Sequence, residues 1–182
     1  MKDVLQYVVG KVSSYNIFNN LYPGIIFCYL LKLMFNVDLL IDNWFGNLFV
    51  FYFVGMVLSR IGSVVIEPLL VNFKIAKKQL MKTVSYSDYE SASAPNPFVV
   101  ALNEERNVYR SLLACFVCLL SYKVILTMNT ILIKNKITFI SDNKDWIILI
   151  SLVILFLCAY VKQTNYVRKR VEFILERMGK KK

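Results

Sequence analysis

Arg60 and Glu67 stand seven residues apart in the stretch WFGNLFVFYFVGMVLSRIGSVVIEPLL (44–70), which is otherwise free of charge. On an uninterrupted helix two turns separate them, so the spacing predicts that they share a face with Ser63, one turn from each, and with Ser59. The chemistry of such a set is a buried polar cluster, in which the forked guanidinium meets a carboxylate and hydroxyls at membrane depth. Its plain alternative is an Arg60 that snorkels to lipid headgroups and a Glu67 that ends an interfacial helix. Gly55, Ser59 and Ser63 recur every four residues with Gly62 beside them, the small-residue spacing that lets another helix come close. Lys32 and Lys123 are two further intramembrane cations, each expected near the middle of an apolar stretch, with Asp38 and Glu67 as the carboxylates in reach. A cation at a helix centre costs roughly 2.5–3.5 kcal/mol to insert. The shortage of partners therefore predicts self-association, in which Lys32, Lys123 and Arg60 share a hydrated interior, and as an alternative function a small pore or toxin unit lined by them.

Catalysis finds little to work with. The chain contains no histidine, and no nucleophile elbow, phosphate-binding glycine loop or His-Glu-x-x-His helix can be found in it. Glu104 and Glu105 are sequence neighbours that project in different directions on a helix, as a solvated surface would have them. Cys115-x-x-Cys118 has the spacing of half a zinc site but lacks a second pair, and all four cysteines sit in apolar runs where a thiol behaves as a small hydrophobe. No metal and no cofactor is expected, and the chain reads as a protein that is not an enzyme.

The elements that must position these residues are apolar helices. Of 182 residues 57% are hydrophobic and the mean hydropathy is +0.53, above the roughly 45–50% apolar share of soluble domains. The pattern predicts an all-α integral membrane four-helix bundle of two antiparallel hairpins. Residues 1–20 form an amphipathic N-terminal helix with Val4, Leu5, Val8, Val9 and Val12 on one side. The first transmembrane hairpin covers 22–67, with one span from Tyr22-Pro23-Gly24 to about Ile41, a link of two residues, and the next span from Asn43. A loop and helical region occupies 68–110, in which FKIAKKQLMK (73–82) extends the second helix along the headgroups and Pro95 and Pro97 break any helix. The second hairpin covers 111–161, with Lys134 to Asp145 as its loop, and a basic helical tail fills 162–182.

Charge sets the orientation. Of the 22 Lys and Arg residues, 16 fall in the N-terminal segment, the 69–110 region and the tail, against 3 in the two hairpin loops. The positive-inside rule then places both termini in the cytoplasm. The lipid bilayer, through anionic headgroups on that side, is the expected partner of this basic face. Direct nucleic-acid binding is not expected, since no aromatic-interleaved basic motif stands out.

The blocks YPGIIF (22–27), GMVLSRIGSVVIEPLL (55–70) and Asn107-Val108-Tyr109-Arg110 resemble a family of small bacterial membrane proteins with four spans, similar to the four-span accessory protein of type VI-B CRISPR loci. The resemblance covers about residues 10–165. It implies an inner-membrane accessory or effector of antiviral defence, with a cytoplasmic defence protein as partner, that modulates a nuclease or the membrane. A plain membrane scaffold is the remaining alternative. The resemblance carries over no catalytic residue.

Overall fold

The computed structural model describes residues 14–75, 78–134 and 143–179. The helix expected over 1–20 falls mostly outside them, as do most of the 134–145 loop and Lys180 to Lys182. Among the described residues the chain is all-α apart from one short ladder. The helices are α1 (Ser14–Phe35), α2 (Trp44–Asn72), α3 (Tyr86–Ser93), α4 (Pro97–Lys134) and α5 (Asn143–Arg177). The ladder pairs β1 (Lys74–Ile75) with β2 (Lys78–Gln79) antiparallel, Lys74 opposite Gln79. Three helices, Trp44–Asn72, Pro97–Met128 and Lys144–Arg177, are long and apolar enough to cross a membrane.

α1 departs from the expected 22–41 span at both ends. Pro23 is buried inside the helix and does not open it. The helix stops at Phe35 because Asn36 turns left-handed (φ 54) and its N–H closes on the Lys32 carbonyl at 3.0 Å. Asparagine tolerates that conformation and often ends helices in it. Residues 36–43 form the link, and Asn43 then caps α2 by accepting the Phe45 N–H at 3.0 Å. α1 and α2 run antiparallel and nearly touch. A Cβ on Gly24 would run into the carbonyl oxygen of Phe51, and one on Gly55 into that of Asn20.

α4 and α5 are also antiparallel. Gln163 Nε2 donates to the Leu102 carbonyl at 3.2 Å toward one end, and Lys123 Nζ to Asp145 Oδ2 at 2.9 Å toward the other. The two pairs meet through Leu31, Leu58, Leu112, Phe116, Leu119 and Leu149. Neither the 110/111 nor the 161/162 boundary is a break, because no glycine or proline stands near either. α4 has 38 residues and α5 has 35, so at 1.5 Å per residue they run about 57 and about 52 Å, well beyond a hydrocarbon core of about 30 Å.

Their far ends pack with α3 into a helical cap with its own core of Ala92, Val99, Leu102, Val167, Val171 and Leu175. Each larger aliphatic side chain there stabilises the cap by about 1.5–3 kcal/mol through removal from water. Between helices placed in a bilayer that force would be missing, since acyl chains are as apolar as leucine, and shape and close approach would serve instead. The 73–82 stretch does not extend α2 along the headgroups. Phe73 is extended (φ -74, ψ 126), the ladder reverses the chain, and Met81 ends up 1% exposed against Ile66, Leu113 and Tyr160. Burial of that methionine favours the turn over a surface helix.

Candidate functional site

α2 widens over Gly62–Ile66 into a π-turn, in which the Glu67 N–H reaches back five residues to the Gly62 carbonyl. Pro68 follows at once. In a regular helix its ring would collide with the carbonyl four residues earlier, and the wider turn gives it room. The extra residue also shifts the phase of everything after it. Glu67 takes the place of residue 66 in a regular helix, about 120° around the axis from Arg60 instead of about 20°.

The predicted common face therefore splits. Arg60 is exposed, Ser63 is half-buried and donates to the Arg60 carbonyl at 3.0 Å, and Ser59 is half-buried. Glu67 instead turns to α4, where Arg110 Nη1 donates to its Oε2 at 2.6 Å, with side chains only 13% and 20% exposed. A Cβ on Gly62 would stand 3.0 Å from Arg110 Cγ and 3.2 Å from the Arg110 carbonyl, so glycine is what lets the Arg110 turn cross α2 at this height.

Around this pair the three helices build a polar joint. On α4, Tyr109 donates to Glu105 Oε1 at 2.9 Å, Gln163 of α5 donates to Glu105 Oε2 at 3.0 Å, and Ser111 donates to the Asn107 carbonyl at 3.0 Å. Glu105 is exposed, as expected of a solvated surface, and is held there by two donors. From α5, Tyr160 is fully buried in the neighbourhood of Glu67, Arg106 and Arg110. Thr164 is 1% exposed one turn further on. Sequence reading passed over Tyr160, Gln163 and Thr164. Their signal was a run of polar groups at helical spacing just where α5 leaves its apolar stretch.

Lys32 and Lys123 lie at the other end of the bundle. α1 stops three residues after Lys32, whose ammonium sits 2.6 Å from Asp38 Oδ2 with both side chains about half exposed. Lys123 is 9% exposed, pairs with Asp145, and stands 5.8 Å from the Phe35 ring. Lys32 falls in the last turn of α1 rather than mid-stretch, whereas α4 continues eleven residues beyond Lys123. Asp145, left out when the carboxylates in reach were counted, removes the shortage of partners that pointed to self-association for these two cations. The Lys32 ammonium, first, and the Leu40 N–H, second, hold the Asp38 carboxyl below its ordinary value.

The charges thus form two levels. Trp44 and Arg60 on α2, like Trp146 and Lys162 on α5, stand 16 positions apart, an apolar band of about 24 Å at 1.5 Å per residue. One level holds Lys32, Asp38, Lys123, Asp145 and both tryptophans, and the other holds Arg60, Glu67 and Arg110. Among the described residues no group of three or more His, Cys, Asp or Glu is placed to hold a metal. The joint is a clasp between α2 and the α4/α5 pair, at the height where the apolar band gives way to the cap. No protein-family model, curated protein or solved structure matches the chain.

Proposed function

We propose that the chain is a non-enzymatic protein of the bacterial inner membrane, with four spans in two antiparallel hairpins and both termini in the cytoplasm. It serves antiviral defence as an accessory or effector: the cap receives a partner, and the joint passes the resulting movement to the spans. The observation that carries this reading is the Glu67–Arg110 pair, which ties α2 to a helix that runs unbroken from the apolar band into the cap. The excess of Lys and Arg at the cap end supports the orientation. The link to defence rests on the resemblance of the 55–70 and 107–110 blocks alone. A lysine-lined pore draws less support, because Lys32 and Lys123 each hold a carboxylate.

Phage challenge of cells carrying the gene with its neighbours tests the role. Protection that depends on the gene, and that falls in Glu67→Gln at unchanged protein level, is the expected result. Protection indifferent to deletion of the gene would remove the defence role. Reporter fusions test the topology separately, and a periplasmic reporter active at either terminus would overturn it.

A further inference from the structure

The last turns of α5 carry Tyr166, Arg170, Phe173 and Arg177 at spacings of four, three and four, so aromatic and guanidinium groups scattered in the linear sequence alternate along one helical face and supply the aromatic-interleaved basic motif whose absence had argued against nucleic acid. That face is turned away from the cap core, whose residues on α5 are Val167, Val171, Ile174 and Leu175. Arg170 stands 5.8 Å and Arg177 4.4 Å from the Phe173 ring. The fold adds a further aromatic group from a distant part of the chain: Phe98, in the first turn of α4, lies 5.6 Å from Arg170. The rings remain open to solvent, with Tyr166 50%, Phe98 49% and Phe173 42% exposed. Arg177 and Lys169 are exposed as well, and Arg168 beside them is held by Glu172 at 3.2 Å.

We infer that this strip is a docking surface for single-stranded nucleic acid. Alternating rings and guanidinium planes offer bases a stacking surface and phosphates a fork of donors, a combination that binds single strands with little sequence preference. A lipid surface is the poorer occupant. Only the near end of the strip is within its reach: Tyr166 lies four residues, about 6 Å, past Lys162, whereas Phe98 lies 12 residues beyond Arg110 on a continuous helix, about 18 Å, or two Debye lengths at physiological salt. An acidic peptide would answer the charges but has no use for three exposed rings. The inference rests on the proposed topology only in that the cap must face the cytosol for such a strand to reach it.

The test is fluorescence anisotropy of a labelled 15-nucleotide oligo-uridine titrated with the full chain in nanodiscs of zwitterionic phosphatidylcholine, where both faces are open. Binding is expected at low salt, with affinity falling as salt rises. Arg170→Gln with Arg177→Gln should weaken it at least about tenfold and flatten the log–log salt slope by about 0.7 per arginine. Phe98→Leu with Phe173→Leu keeps charge and apolar bulk, and should also weaken it about tenfold through lost stacking. Arg168→Gln should change little. Absence of binding by the unaltered chain would overturn the inference and leave the topology standing. So would binding that Phe98→Leu with Phe173→Leu leaves intact and that a poly-glutamate peptide displaces as well as the oligonucleotide itself, because the surface would then read charge alone.

Discussion

The two charged levels solve the same problem in different ways. At the level of the two tryptophans each ion pair closes within its own helix pair: Lys32 finds Asp38 six residues on, and Lys123 of α4 finds Asp145 of α5. At the cap level the pair crosses, joining Glu67 of α2 to Arg110 of α4. The first arrangement closes its charges inside each helix pair and joins the pairs only through the Phe35 ring beside Lys123. The second makes one pair answer to the other.

Changes at the two levels should therefore differ in reach as well as in size. Glu67→Ala leaves a largely buried guanidinium without its carboxylate, and a loss of about 3 kcal/mol is expected. It should loosen α2 from the cap as well, read as faster proteolysis of the 73–85 segment in detergent. An equal loss confined to α1 and α2 would break the comparison. Gly55→Val forces the valine Cβ onto the Asn20 carbonyl, where backbone must move, so about 2–3 kcal/mol is expected. Thermal unfolding should register it while proteolysis of the cap stays unchanged.

Lys123→Ala removes one partner of a pair whose carboxylate is 28% exposed and can find water, so a loss of about 1–2 kcal/mol is expected, again without effect on the cap. Asp38→Asn should have the smallest effect. Because the Asp38 pKa is depressed on folding, its contribution is present above the ordinary carboxylate range and is lost as pH falls through the folded value. A difference from the unaltered chain should therefore exist at neutral pH and vanish only below about pH 4. A difference that persists into stronger acid would mean that Lys32 is not what Asp38 serves.

Much of this architecture was legible in composition and period: the apolar helices and the polar stretch between the second and third. The error over Arg60 and Glu67 has one physical source. Counting at 3.6 residues per turn assumes an uninterrupted helix, and the π-turn before Pro68 spoils the count by one residue. A proline without an N–H, six residues after a glycine, was the local warning. Lys32 was misplaced for a related reason. Its apolar run continues past the point where Asn36 ends the helix, and hydropathy averages over a single capping residue. The Glu67–Arg110 pair was beyond any local signal, since its members stand 43 positions apart and the reversal that buries Met81 lies between them.

A double-mutant cycle between Glu67 and Arg110, followed by reversible unfolding in mild detergent, tests the clasp most directly. Glu67→Gln and Arg110→Gln should each destabilise the protein, and the double variant should cost clearly less than their sum, with a coupling of about 1.5–3 kcal/mol that survives high salt because the pair is largely shielded. Strictly additive losses, or a coupling that vanishes as salt is raised, would mean that the two residues touch without holding α2 to the cap.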